Sequence, residues 1–412
     1  MTSSVVARVN ESIGGLWDST IREAPRDEGT LIALPHPYTV PCPQGRFQEM
    51  YYWDTYYTNE GLITHGRLDL AWQNTQNLLA LVERFGFAPN GNRTFYLNRS
   101  QPPHLLLMVE SLYTATGDDA WLKGVLPTLE REYAFWMTRR LGPNGLNHYG
   151  HDATEAELRQ LFTHLSVRWQ DWPPELQRPA ESETGELLAE CESGWDFTPR
   201  FAGHCATSEA VDLNALLYHY EVTLARWLER FSFDGAVYHE AAVKRLKAMR
   251  ERLWSQEAGA FLDRNFVTDA LSPVLSAATF YPLWLGVATP NQAQAIATRA
   301  LARLSAAHGL LTCAPGERKR RYQWDAPNLW PPLAYAAVRG LERAGYLKKA
   351  TTVAQTYLGI VSANFESSGR LWEKYNAETG FLDVTDEYAM PVMLGWTAGV
   401  FAWLVARYSP SS

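Results

Sequence analysis

Three places in the chain join a tryptophan to an aspartate: Trp53-Asp54, Trp195-Asp196 and Trp324-Asp325. They lie in stretches dense in aromatic and charged residues, 45–57, 192–200 and 323–332, and a fourth such stretch, 90–103, carries Asn90, Arg99, Ser100 and Gln101. A carboxylate held beside an indole suits sugar recognition. The ring stacks on sugar C–H faces, the carboxylate accepts hydroxyls, and desolvation by the ring raises the carboxyl pKa toward that of a general acid. Helix packing does not require these patterns, so the four stretches are expected to be non-helical. Singly, each has a plainer reading. Trp-Asp is commonly a capped helix start, Arg46 and Arg99 are ordinary ion-pair candidates, and Asn90-Gly91 is a turn signal. Their coincidence in one chain is what favours a carbohydrate site.

Longer blocks carry a resemblance. Pro43-Gln44-Gly45-Arg46-Phe47-Gln48-Glu49 with Tyr52-Trp53-Asp54, and Gln323-Trp324-Asp325-Ala326-Pro327 with Trp330, are similar to the two signatures of the trehalase family of glycoside hydrolases. Arg99-Ser100-Gln101-Pro102-Pro103, Glu192-Ser193-Gly194-Trp195-Asp196 and Glu373-Lys374-Tyr375 resemble further family blocks in the same order. The resemblance implies an all-α fold, a single (α/α)6 toroid whose mouth holds a disaccharide. It implies hydrolysis of α,α-trehalose to two glucose molecules with inversion, using no metal or organic cofactor. Carried over by position, Asp196 is the general acid and Glu373 the general base. Arg46, Trp53, Asp54, Asn90, Arg99, Ser100, Gln101, Gly194 and Glu387 would line the sugar subsites, with Gln323, Trp324 and Asp325 of the second signature. Arg178, with Glu181 beside it, matches a further family arginine in an imperfect block.

Chemistry agrees with these roles. Inversion needs two carboxyls about 6.5–9.5 Å apart, one protonated on the leaving oxygen and one activating water across the ring. Asp196, between Trp195 and Phe197, has neighbours that favour its neutral form, while Lys374 follows Glu373 and favours an ionised base. No Ser-His-Asp order, phosphate-binding loop or paired-histidine metal motif competes. The chain also departs from the family. Leu382-Asp383-Val384-Thr385-Asp386 replaces a glycine-rich run before Glu387, Leu329 replaces a glycine and Asn376 an aspartate. These changes leave open a related toroidal α-glycosidase acting on glucosylglycerate or mannosylglycerate. A sugar-binding protein without catalysis is opposed by retention of both Asp196 and Glu373.

The elements that must position these residues are helical. Apolar residues recur with helical spacing over 68–85, 104–114, 118–133, 208–231, 241–253, 291–304, 331–344, 349–365 and 390–408, with Pro127 expected to kink or divide its helix. Strand signals are few: a hairpin arm at 261–267 and an extended run at 31–40. Helical pairs without βαβ alternation suggest a solenoid or closed toroid. No linker interrupts the chain, so 1–412 is expected to be one catalytic domain, with 142–192 an irregular loop excursion over one mouth.

A net charge of −8 opposes a general nucleic-acid or anionic-membrane partner, leaving a small-molecule disaccharide as the expected one. The run Arg318-Lys319-Arg320-Arg321 is expected to be a solvated loop, and nothing specifies an oligomeric state. Cys42, Cys191, Cys205 and Cys313 are scattered, as expected of free thiols in a reducing compartment. The opening residues lack a signal-peptide core, and no stretch approaches the ~18 apolar residues of a membrane span. A cytoplasmic protein is expected.

Overall fold

The computed structural model describes residues 3–409. Six helices are buried on most sides and form the inner staves of a ring: Tyr52–Thr64, Leu105–Thr116, Val211–Arg230, Phe280–Trp284, Pro331–Arg343 and Gly395–Tyr408. Before each inner helix in the chain comes an outer one with a solvated face: Ser3–Leu16, Leu68–Phe85, Asp119–Arg139, Ala236–Arg252, the run 290–304 and Leu347–Ser368. This alternation is the (α/α)6 toroid. The outer helices read as amphipathic because only one stripe is buried.

The ring closes where the last inner helix packs on the first. That seam needs glycine on both sides. A Cβ on Gly61 would stand 2.5 Å from the Gly399 Cα, and one on Gly399 would stand 1.9 Å from the Tyr57 carbonyl oxygen. The backbones therefore approach too closely for any side chain.

Several expectations change. Trp53 and Asp54 lie in the first turn of helix Tyr52–Thr64, not in a non-helical stretch, so the plain reading of a Trp-Asp helix start and the functional one coexist here. Helix Asp119–Arg139 runs through Pro127 undivided. The run 290–304 contains a π-helical turn at Ile296–Ala300. The stretch 142–192 is not irregular throughout, since it contains helices Glu155–Ser166 and Thr184–Ser193. Thr154 and Glu157 cap the first of these reciprocally. Nor is the basic run a free solvated loop: Arg318 pairs with Asp325 at 2.7 Å and Arg320 with Glu183 at 2.7 Å.

Two devices hold the chain segments at the mouth. Glu192, fully buried, accepts from Arg140 Nε at 2.8 Å, from the Gly150 amide at 2.6 Å and from the Ser100 amide at 2.9 Å. One carboxylate thus ties helix Thr184–Ser193 to two separate loops. Strands Asn328–Leu329 and Tyr375–Asn376 pair antiparallel with Leu329 opposite Tyr375, which fixes the second signature beside Glu373.

Candidate active site

Asp196 follows the C-terminus of helix Thr184–Ser193, where Gly194 turns the chain at φ +76°. A Cβ at Gly194 would stand 2.7 Å from the Trp53 ring, so only glycine fits. The turn is pinned to the second signature. Gln323 Nε2 donates to the Asp196 carbonyl oxygen, and the Trp324 amide donates to the Phe197 carbonyl at 3.0 Å. Below it the indoles form a continuous stack: Trp195 on Trp324 at 5.5 Å, and Trp324 on Trp330 at 3.9 Å with rings 3° from parallel. Trp396 meets Trp53, Trp324 and Trp330 edge-on.

Asp196 and Glu373 both line one cavity of about 490 Å³. That size and its mixed aromatic and polar wall suit a disaccharide-sized ligand. Burial pushes the Asp196 carboxyl up to about 7; Arg168 and Arg99 pull it back, and Glu373 adds to the rise. Glu373 is held from two directions. Lys374 Nζ donates to one oxygen at 2.7 Å and the Tyr388 hydroxyl to the other at 2.8 Å. Its backbone carbonyl accepts from Trp396 Nε1 at 3.0 Å. Asp54, on the same wall, is raised by burial and then by Glu373 to about 8.

Around these carboxyls the cavity collects Arg46, Trp53, Asn90, Arg99, Gln101, Gly194, Gln323 and Trp324. The Gln101 amide oxygen accepts from the Trp53 amide at 3.2 Å. Arg46 lies over the Tyr388 ring at 4.9 Å and Arg99 over Tyr96 at 4.8 Å, so aromatic faces aim both guanidinium groups.

The remaining expected residues stand elsewhere. Ser100 is fully buried behind the wall, its hydroxyl given to the Ala88 carbonyl at 2.6 Å. Asp325 turns away to Arg318 and the Ala326 amide. Arg178 closes its own loop on the Gln170 carbonyl at 2.9 Å, and Glu181 starts an exposed 3-10 turn. Glu387 is buried beside the cavity rather than on its surface. Its carboxyl is raised to about 8 by burial, against the pull of Arg168 3.9 Å away.

Reading the sequence missed Arg168, Tyr388 and Trp396, all of which line the cavity. Arg168 lines the cavity where Arg178 does not, and it has no motif around it, since a 3-10 turn at Val167–Trp169 presents it. Tyr388 was visible as the aromatic residue directly after Glu387. Among the described residues no cluster of His, Cys, Asp or Glu could hold a metal ion, and no helix is long and apolar enough to cross a membrane.

The chain is similar to known proteins over nearly its whole length. The sequence model of the trehalase family matches residues 3–409. The periplasmic trehalase of Xanthomonas campestris pv. campestris (strain B100) is 36% identical, covering 97% of this chain and 73% of that protein. The neutral trehalase of Saccharomyces cerevisiae superposes with a TM-score of 0.76 at 28% identity, over 96% of this chain and 79% of that one. The mannosylglycerate hydrolase of Thermus thermophilus shares the fold, with a TM-score of 0.67 over 97% of this chain and 100% of that one, but only 17% identity. The cytoplasmic location expected from the opening residues is overturned by relatives named as periplasmic enzymes. With the cavity, its carboxyls and this match in hand, the chain belongs to the trehalase family and is a glycoside hydrolase.

Proposed function

We propose that Asp196 and Glu373 carry the reaction as general acid and general base. The reaction is the hydrolysis of α,α-trehalose to two glucose molecules, the activity of the family. The observation that carries this assignment is the difference between the two environments in one cavity. Asp196 is buried with its carboxyl raised to about 7, so it keeps a proton for the leaving oxygen near neutral pH. Glu373 faces an ammonium and a phenol, each donating to a different oxygen, which supports the carboxylate form needed to polarise a water. Attack by that water from the face opposite the departing glucose inverts the anomeric carbon. Arg46, Arg99 and Arg168 supply donors to the sugar hydroxyls, and the indoles Trp53 and Trp396 supply apolar surface for the sugar rings.

The test is the anomeric composition of the first product formed from α,α-trehalose, read by proton NMR before mutarotation. Inversion gives α- and β-glucose in equal amounts. Two molecules of α-glucose would show retention and remove Glu373 from the role of base.

A further inference from the structure

Helix Tyr52–Thr64 serves two cavities. Its first turn gives Trp53 and Asp54 to the one described above, while Tyr56, Glu60 and Thr64, further along, line a second cavity of about 860 Å³ at the other end of the helix. The floor of this far cavity is aromatic. Tyr56, Trp284 and Trp403 line it, with Tyr56 stacked on Trp284 at 6.2 Å, and Tyr335, outside the lining, packs between Trp284 at 5.5 Å and Trp403 at 4.6 Å.

Three guanidinium groups converge over that floor: Arg339 and Arg343, one helical turn apart, and Arg407 from the neighbouring inner helix. Arg339 is poised over the rings of Trp284, Tyr335 and Trp403 at 5.5–6.0 Å, and Arg407 over Trp403 at 4.0 Å. Among the described residues none of the three forms an ion pair. Their protein hydrogen bonds are long: Arg339 to the Tyr335 hydroxyl at 3.4 Å and Arg343 to the Trp284 carbonyl at 3.4 Å. By contrast Arg226, on the same wall, is paired with Glu110 at 3.0 Å. Guanidinium donors left over in this way match the oxygens of a phosphate.

The acidic residues on this wall narrow the ligand further. Glu60 accepts the hydroxyls of Ser111 at 2.6 Å and Tyr335 at 2.9 Å, and Glu342 accepts that of Tyr408 at 2.6 Å. Carboxylates repel a bare anion but accept hydroxyl groups. A ligand carrying a phosphate and several hydroxyls satisfies both kinds of charged wall. We propose that the far cavity binds a phosphorylated sugar, its phosphate among Arg339, Arg343 and Arg407 and its hydroxyls on the wall that carries Glu60 and Glu342. This site shares no lining residue with the cavity of Asp196 and Glu373.

The test is calorimetric titration of the full chain with glucose 6-phosphate, with glucose and inorganic phosphate titrated separately. The expected result is binding of one equivalent, weakened at least about tenfold by Arg343→Gln and by Arg407→Gln, and unaffected by Arg99→Gln in the other cavity. Arg343 and Arg407 are exposed, so their variants keep the fold if Arg339→Gln does not. Absence of binding, binding that both exposed variants leave intact, or loss on Arg99→Gln would overturn the proposal. So would equal affinity for inorganic phosphate, or glucose binding that Arg343→Gln and Arg407→Gln weaken to the same degree, because the site then reads only half of the ligand.

Discussion

Lys374 bridges the carboxylates of Glu373, at 2.7 Å, and Asp386, at 2.6 Å, while itself fully buried. A single ammonium therefore joins the proposed base to the loop that carries Glu387 and Tyr388. Removing it leaves two carboxylates near each other without a cation. Lys374→Met is expected to lower the unfolding free energy by about 3–5 kcal/mol, the usual cost of breaking a buried pair from one side. Urea denaturation at pH 7 checks this, and a loss below about 1 kcal/mol would show the bridge to be incidental.

Asp196→Asn removes the proton donor without changing the side-chain size. Turnover of trehalose is expected to fall by about 10²–10⁴-fold, the range for a positioned general acid, with sugar binding retained. Steady-state kinetics paired with calorimetry on glucose separates the two effects. A variant within about tenfold of the parent would release Asp196 from its role.

The protonated form of Asp196 is the active one, so kcat/KM is expected to fall on the alkaline side as pH passes through about 7. Arg168 stabilises the ionised carboxylate and so lowers its pKa. Arg168→Leu should therefore move the alkaline limb to higher pH while weakening substrate binding. A shift in the acid direction would contradict the electrostatic assignment.

Asp54, at about 8, binds its proton more tightly in the folded protein than an unfolded aspartate does. Its contribution to stability is full below the unfolded pKa near 4, and is lost as pH rises toward 8. Asp54→Asn removes that alkaline penalty. The variant is expected to gain about 1–3 kcal/mol over the parent at pH 9, less at pH 5, and to lose activity. Thermal unfolding at the two pH values, with the gain growing at the higher one, is the check.

Gly194→Ala places a methyl group against the Trp53 ring at a positive φ. A destabilisation of about 1–3 kcal/mol is expected, together with lower kcat as Trp53 shifts against the turn that aims Asp196. Gly145→Ala, also at positive φ but with nothing within 4 Å, should cost less and leave kcat alone.

The outer helices from Leu68–Phe85 onward were legible in the sequence because each buries one stripe and so shows the 3.6-residue period, whereas the outer helix Ser3–Leu16 went unread. Helix Tyr52–Thr64 was not legible. All but two of its residues are buried, so no polar face alternates with an apolar one, and its aromatic density resembled a binding loop. The site divides in a similar way. Motif residues such as Arg99 and Gln101 reached the cavity, whereas Asp325, in an equally strong motif, was drawn off by Arg318, a partner seven residues before it that no pattern announces. Arg168 escaped notice because a turn at Val167–Trp169 places it, and turns of that kind leave little mark in composition.

The near-parallel contact of Trp324 and Trp330, joined by Trp195, Trp53 and Trp396, has an optical consequence. Indoles this close couple their strong far-ultraviolet transitions, which is read by circular dichroism. Trp324, Trp330, Trp53 and Trp396 also border the cavity, so their emission changes when a sugar displaces water. The protein thus carries its own unlabelled reporter of occupancy, fast enough to follow in a stopped-flow fluorimeter.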